Sequence, residues 1–128
     1  MRLSYGLCTD AGRVRSGNED NFYLDGKLRK NTEISSMALK GTAGERPFLA
    51  AVCDGMGGEQ RGEEASLLAA ASLFPAPLEE LPAAAVRGVQ LANGRICERI
   101  RAMGGVRMGS TLSALYIDRG QAFVCHVG

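Results

Sequence analysis

The sequence predicts a layered α+β fold in which strands lie on either side of two amphipathic helices. Three observations carry that prediction. Short apolar runs are bounded by glycine and proline, two longer stretches repeat apolar residues at helical spacing, and strands lie on both sides of the helices instead of alternating strictly with them. The chain has 128 residues, of which 45% are hydrophobic and 23% charged. That is enough apolar material for one compact domain over residues 1–128 and too much for a disordered or collagen-like chain.

Leu3–Thr9 and Asn21–Leu24 read as short strands separated by the polar segment Asp10–Asp20. Leu28–Arg46 lacks sustained periodicity and reads as a long surface connection that could host an irregular strand. Pro47–Asp54 is apolar almost throughout, the pattern of a central strand covered on both faces, and the turn residues Asp54-Gly55 are expected to stop it. Arg61–Phe74 places Ala65, Leu68, Ala69, Ser72 and Leu73 at helical spacing, with Glu63 and Glu64 in the first turn, where the helix dipole favours negative charge. Glu59, Gln60 and Arg61 form its solvated start, and Pro75 and Pro77 follow its end. A second helix starts near Pro82, and its stripe of Ala85, Val89, Ala92, Ile96, Ile100 and Met103 runs to Gly104-Gly105. Ser110–Asp118 and Gln121–Val127 read as two strands joined in a hairpin at Asp118-Arg119-Gly120.

Fifteen Lys and Arg against fourteen Asp and Glu leave a formal charge of +1, so no uniform basic field draws nucleic acid or an anionic membrane. No apolar stretch approaches the roughly 20 residues of a membrane span, and Met1–Asp10 lacks a signal-peptide layout. A cytoplasmic protein is expected. The four cysteines contain no C-x-x-C pair and the chain has one histidine, so zinc has too few clustered ligands and four buried, reduced thiols are expected. His126, in an apolar β run, reads as a histidine hydrogen-bonded within the sheet.

Two segments bear chemistry. Thr9–Asp20 is polar and ends in the adjacent carboxylates Glu19-Asp20, which taken alone reads as a solvated turn. Asp54-Gly55-Met56-Gly57-Gly58 follows the most apolar strand, either as a turn with local amide hydrogen bonds or as a carboxylate fixed on a rigid element with glycines that admit close backbone approach. If the two strands are neighbours, Glu19, Asp20 and Asp54 meet at one sheet edge. Their repulsion is then offset by a hard cation, Mg2+ or Mn2+, for which oxygen ligands are suited. Arg15 places a planar, permanently charged fork beside them, the group best suited to a phosphate.

The pattern T-D-x-G-x-V-R-x-x-N-E-D at Thr9–Asp20, D-G-M-G-G at Asp54–Gly58, Gly109-Ser110-Thr111-Leu112 and His126-Val127-Gly128 occur in this order. They resemble the motifs of bacterial metal-dependent protein phosphatases of the protein phosphatase 2C family, in its N-terminal half. Ala92-Asn93 with Ile96 on the second helix is similar as well. The resemblance implies part of a four-layer α-β-β-α sandwich, two Mn2+ or Mg2+ ions per complete site, and phosphoserine or phosphothreonine proteins as substrates. It implies that Asp54 bridges the metals, that Asp20 and the Gly55 carbonyl ligate, that Glu19 acts through a metal-bound water, and that Arg15 holds the substrate phosphate. A water activated by the metals would then attack phosphorus in line, without a phosphoenzyme.

Met56 stands where many eukaryotic members carry histidine, which removes a general acid there; bacterial members commonly share the methionine. The family's domain is longer than this chain, and its later segments supply further aspartates. The half-site is therefore expected to hold metal weakly, and an unpaired edge near Ser110–Val127 to favour a homodimer or domain swap. The alternative to an enzyme is a non-catalytic phosphoprotein-binding or assembly module that keeps Arg15.

Overall fold

The computed structural model describes residues 2–57 and 61–128. Gly58, the last glycine of the D-G-M-G-G motif, and Glu59 and Gln60, expected at the start of a helix, lie outside the described residues. Seven strands and two α-helices follow in the order β1 (Leu3–Asp10), β2 (Asp20–Leu24), β3 (Ser36–Ala43), β4 (Phe48–Gly57), α1 (Gly62–Ala70), α2 (Ala83–Ala102), β5 (Met108–Ser110), β6 (Leu112–Asp118) and β7 (Gln121–Val127). β1 and β3 form a two-stranded antiparallel ribbon, and the larger antiparallel sheet runs β2-β4-β6-β7 with β5 added to the far end of β4.

Two apolar layers hold these parts together. Leu49, Ala51 and Cys53 of β4 meet Ala69, Ala70 and Leu73 around α1 and Ala85 and Ala92 of α2. On the other face, Phe22, Leu24 and Phe48 pack against the inward residues of the ribbon, Tyr5, Leu7, Met37 and Leu39. The result is helices on the large sheet and the large sheet on the ribbon, the α+β layering expected from the sequence.

Several boundaries differ from the sequence expectation for physical reasons. The segment expected as a surface connection contains β3, whose alternating half-buried and exposed residues pair along all of β1. Ala38 on its exposed side and Gly41 on its inward side blur the period-2 signal. β4 does not stop at Asp54-Gly55 but runs on to Gly57, because Gly55, Met56 and Gly57 pair with Ser110, Gly109 and Met108 of β5. It is covered on both faces only over its first part, where Leu49 and Ala51 face the helices and Phe48 and Ala50 face the ribbon; Val52 is 57% exposed. α1 ends at Ala70, before the prolines, where the Ser72 and Leu73 amides bond three residues back and tighten the chain into a turn. The β6–β7 hairpin is as expected, a two-residue turn with Arg119 and Gly120 both at positive φ. Of the four thiols only Cys53 is buried; Cys8 is exposed, and Cys97 and Cys125 are half-buried.

Leu49 is fully buried at the centre of the layer between sheet and helices. Leu49→Ala is expected to cost about 2–5 kcal/mol in urea denaturation; a loss below about 1 kcal/mol would show that this layer is not the core.

Candidate functional site

The polar segment between β1 and β2 is built by its own side chains. The Asp10 carboxylate accepts the Gly12 amide at 2.7 Å, and Gly12 takes positive φ, so the start of the motif is a turn whose sequence its backbone requires. The buried Asn18 donates to Thr9 Oγ1 and to the Ser35 carbonyl, and its own Oδ1 accepts the Asp20 amide at 2.9 Å. These bonds leave Arg15 at the exposed part of the loop. Its guanidinium reaches Glu19 at 3.4 Å, a long, solvated pair that leaves most of its donors free for an anion.

β2 pairs with β4 in a register that sets Asp20 directly opposite Asp54. Burial first, and then the adjacent Asp54 carboxylate, raise the Asp20 carboxyl above the ordinary range, while Arg29 and Arg15 act in the opposite direction. Asp54 sits where β4 changes partner from β6 to β5. There its amide donates to Thr111 Oγ1, and its carbonyl accepts the Thr111 amide and the Ser110 hydroxyl. The Gly-Ser-Thr-Leu segment thus pins the Asp54 peptide.

Two glycines let this end of the sheet close on α1. A Cβ on Gly55 would lie 2.0 Å from the Gly62 carbonyl oxygen and 2.5 Å from that of Glu19, both backbone atoms. On Gly62, a Cβ would meet the Glu19 carboxylate carbon at 2.7 Å. The Glu19 carboxylate consequently lies over the N-terminus of α1, where the helix dipole favours it, and Ser66 Oγ donates to the Glu19 carbonyl at 2.6 Å.

Of the residues expected at one sheet edge, the structure brings Asp20 and Asp54 together, with Gly55 next in the strand. Glu19 turns instead toward Arg15 and α1. Among the described residues no three His, Cys, Asp or Glu side chains converge as a metal site. The two facing carboxylates nevertheless fit a divalent cation, since like charges opposed across a sheet are destabilising until one is introduced. A cleft of about 790 Å³, lined by neither of these aspartates, has Arg15 on its wall together with the carboxylates Glu19, Glu33 and Glu63. Met56 is exposed, and His126 donates from Nε2 to the Gly128 carbonyl and is hydrogen-bonded through Nδ1 to Ser113 Oγ of the neighbouring strand, both at 2.8 Å, as expected of a histidine held within the sheet. Asp118, on the hairpin at the end of the sheet, accepts the Leu78 amide and Arg119 Nε.

Sequence reasoning missed Arg29, which is fully buried behind this site. One terminal nitrogen donates to the carbonyls of Asn18 and Asp20, both at 2.6 Å, and the other to those of Thr32 and Ile34 at 2.8 and 2.9 Å. Asn21, also missed and buried, holds the Arg29 backbone through both its amide atoms. An arginine amid polar residues reads as a solvated charge, so no local signal marks it.

This arrangement is that of a protein phosphatase 2C-like fold, present as a partial sandwich of two antiparallel sheets and two helices. The chain resembles bacterial serine/threonine phosphatases of that type along its whole length. It is 29% identical to the Mycobacterium tuberculosis serine/threonine phosphatase PstP/Ppp, with a TM-score of 0.74 over 99% of this chain and 47% of that one. A structure of the PstP catalytic domain in complex with two manganese ions gives 28% identity and a TM-score of 0.74 over 100% and 49%. The S. agalactiae serine/threonine phosphatase, at 24% identity and a TM-score of 0.72 over 100% of this chain and 49% of that one, supports the fold alone. The chain spans about half the length of these solved structures. No protein-family model and no curated protein matches it. Among the described residues no helix is long and apolar enough to cross a membrane.

A carboxyl raised in the folded state destabilises the fold once ionised, so its cost is absent below the unfolded value and appears as pH rises through the folded one. In metal-free protein near neutral pH, Asp20→Asn is therefore expected to raise the melting temperature by a few degrees; a decrease would contradict the repulsion. Gly55→Ala, meeting backbone, is expected to cost about 1–3 kcal/mol or more in urea denaturation. Gly62→Ala, meeting only the movable end of Glu19, should cost less, and the reverse order would contradict the packing described.

Proposed function

We propose that the chain is one part of a metal-dependent protein serine/threonine phosphatase that hydrolyses phosphoserine and phosphothreonine. The observation that carries the reading is the register that opposes Asp20 and Asp54 at the end of the sheet, with an arginine on the wall of the cleft that the adjoining Glu19 lines. The likeness to solved phosphatases, one of them holding two manganese ions, supports it. In this reading Asp20, Asp54 and the Gly55 carbonyl hold Mn2+ or Mg2+, and Glu19 acts through a water of the metal shell. Paired cations, when bound, supply water activation and neutralise charge on the phosphoryl oxygens. Arg15 binds the substrate phosphate through the donors that its long contact with Glu19 leaves free. Met56 is exposed and has no proton to give, so the leaving oxygen would take its proton from water of the metal shell or from elsewhere.

A second reading is favoured by the absence of three converging ligand side chains among the described residues: a phosphoprotein-binding or assembly module without turnover. Self-association belongs to either reading. Among the described residues β7 pairs with β6 alone, and Val124 and Val52, 69% and 57% exposed, form with Leu115 an apolar surface suited to a second copy.

Hydrolysis of a phosphothreonine peptide is expected to require Mn2+ and to vanish in Asp54→Asn, while Arg15→Ala should lower kcat/KM by about 10–100-fold. Phosphopeptide binding that is lost in Arg15→Ala, with no turnover at any Mn2+ concentration, would select the binding module. Light scattering is expected to show a dimer that Val124→Lys converts to a monomer; a monodisperse monomer before substitution contradicts the association.

A further inference from the structure

We infer that Arg29 is a positioning residue for the carboxylate site, fixing the backbone that presents Arg15, Glu19 and Asp20 by clamping it to the turn before β3. The inference rests on the metal reading proposed above. Among the described residues Arg29 donates to no carboxylate: its four terminal hydrogen bonds all go to carbonyls, two flanking Glu19 and two in the 32–34 turn. Burying a guanidinium is costly unless its donors are satisfied; among the described residues Arg29 Nε is buried without a hydrogen-bond partner, so the four carbonyls on the two terminal nitrogens are what hold the cation, and are held by it. Its fork is suited to this bridging. A lysine has three donors on one nitrogen and cannot serve both pairs of carbonyls at once.

The clamp is tied in at two further points. Asn21, the residue after Asp20, accepts the Arg29 amide at 3.1 Å and donates to the Arg29 carbonyl at 3.0 Å, so the arginine's backbone is registered against β2 itself. Asn18, whose carbonyl Arg29 grips, also reaches the Ser35 carbonyl and receives the Asp20 amide. Residues 18–21 and 29–35 thereby form one hydrogen-bonded unit. A shift of the 32–34 turn must displace the Asp20 peptide, and cation binding at Asp20 must in turn steady the turn, although the turn supplies no ligand in the proposed site.

The test is Mn2+ affinity, followed by the electron paramagnetic resonance of the free ion. It is measured in the wild-type protein, in Arg29→Lys and in Leu49→Ala, the last a destabilised control remote from the clamp. Arg29→Lys is expected to weaken Mn2+ binding by about 10–100-fold, as loss of a group supporting a ligand does, while Leu49→Ala lowers the melting temperature and leaves affinity unchanged. Equal affinity in Arg29→Lys and wild type overturns the inference, as does an equal loss in both variants. A wild-type protein that takes up no Mn2+ overturns the metal reading, and the inference with it. If Arg29→Lys does not fold, amide exchange of the wild-type protein decides: Mg2+ is expected to slow exchange at Ile34 together with Asp20, and protection confined to Asp20 overturns the clamp.

Discussion

The pairing of β2 with β4 places one carboxylate against another, and the surrounding structure is organised around that juxtaposition. Asp20 and Asp54 are cross-strand partners, an arrangement that electrostatics disfavours and that ordinary strands avoid. It persists because the two backbones are fixed from outside the pair. Thr111 and Ser110 hold the Asp54 peptide where β4 passes from one partner strand to the next. Asn18 and Arg29 hold the peptides around Asp20. Neither side chain can relieve the repulsion by a shift of its strand without breaking these bonds.

The same logic explains the close contact between sheet and helix. Gly55 brings its backbone against those of Gly62 and Glu19, so the Glu19 segment is seated on the N-terminus of α1, which is itself anchored by the buried Ala65, Ala69 and Ala70. Rigidity in the apolar layer is thus passed to a polar edge through contacts that no side chain larger than hydrogen would permit. A site suited to a cation and a phosphate needs this pre-organisation, because geometry held before binding need not be imposed by the ligand.

How much of this was legible in the sequence follows from which signals are local. The two helices, the apolar β4 and the β6–β7 hairpin were readable because periodicity and turn residues announce them. The opposed aspartates were readable as a hypothesis because each lies beside a strand. β3 was readable only as an irregular strand within a long connection, since Ala38 and Gly41 blur its alternation and its partner β1 is distant in sequence. The end of β4 was misread because glycines signal a turn locally, whereas pairing with β5 extends the strand. Glu19 was expected within the carboxylate group, but its side chain lies over the helix, a placement set by the close approach at Gly62. Arg29 was invisible because its partners are carbonyls, which every residue has.

The central claim, that the Asp20–Asp54 pair is a cation site, is tested most directly by anomalous diffraction at the manganese edge from crystals soaked in Mn2+. The account predicts a peak between the two carboxylates, at about 2.0–2.6 Å from an oxygen of each, the range for hard divalent cations. Carboxylates that stay in place with no peak between them, or a peak only elsewhere on the protein, would contradict it.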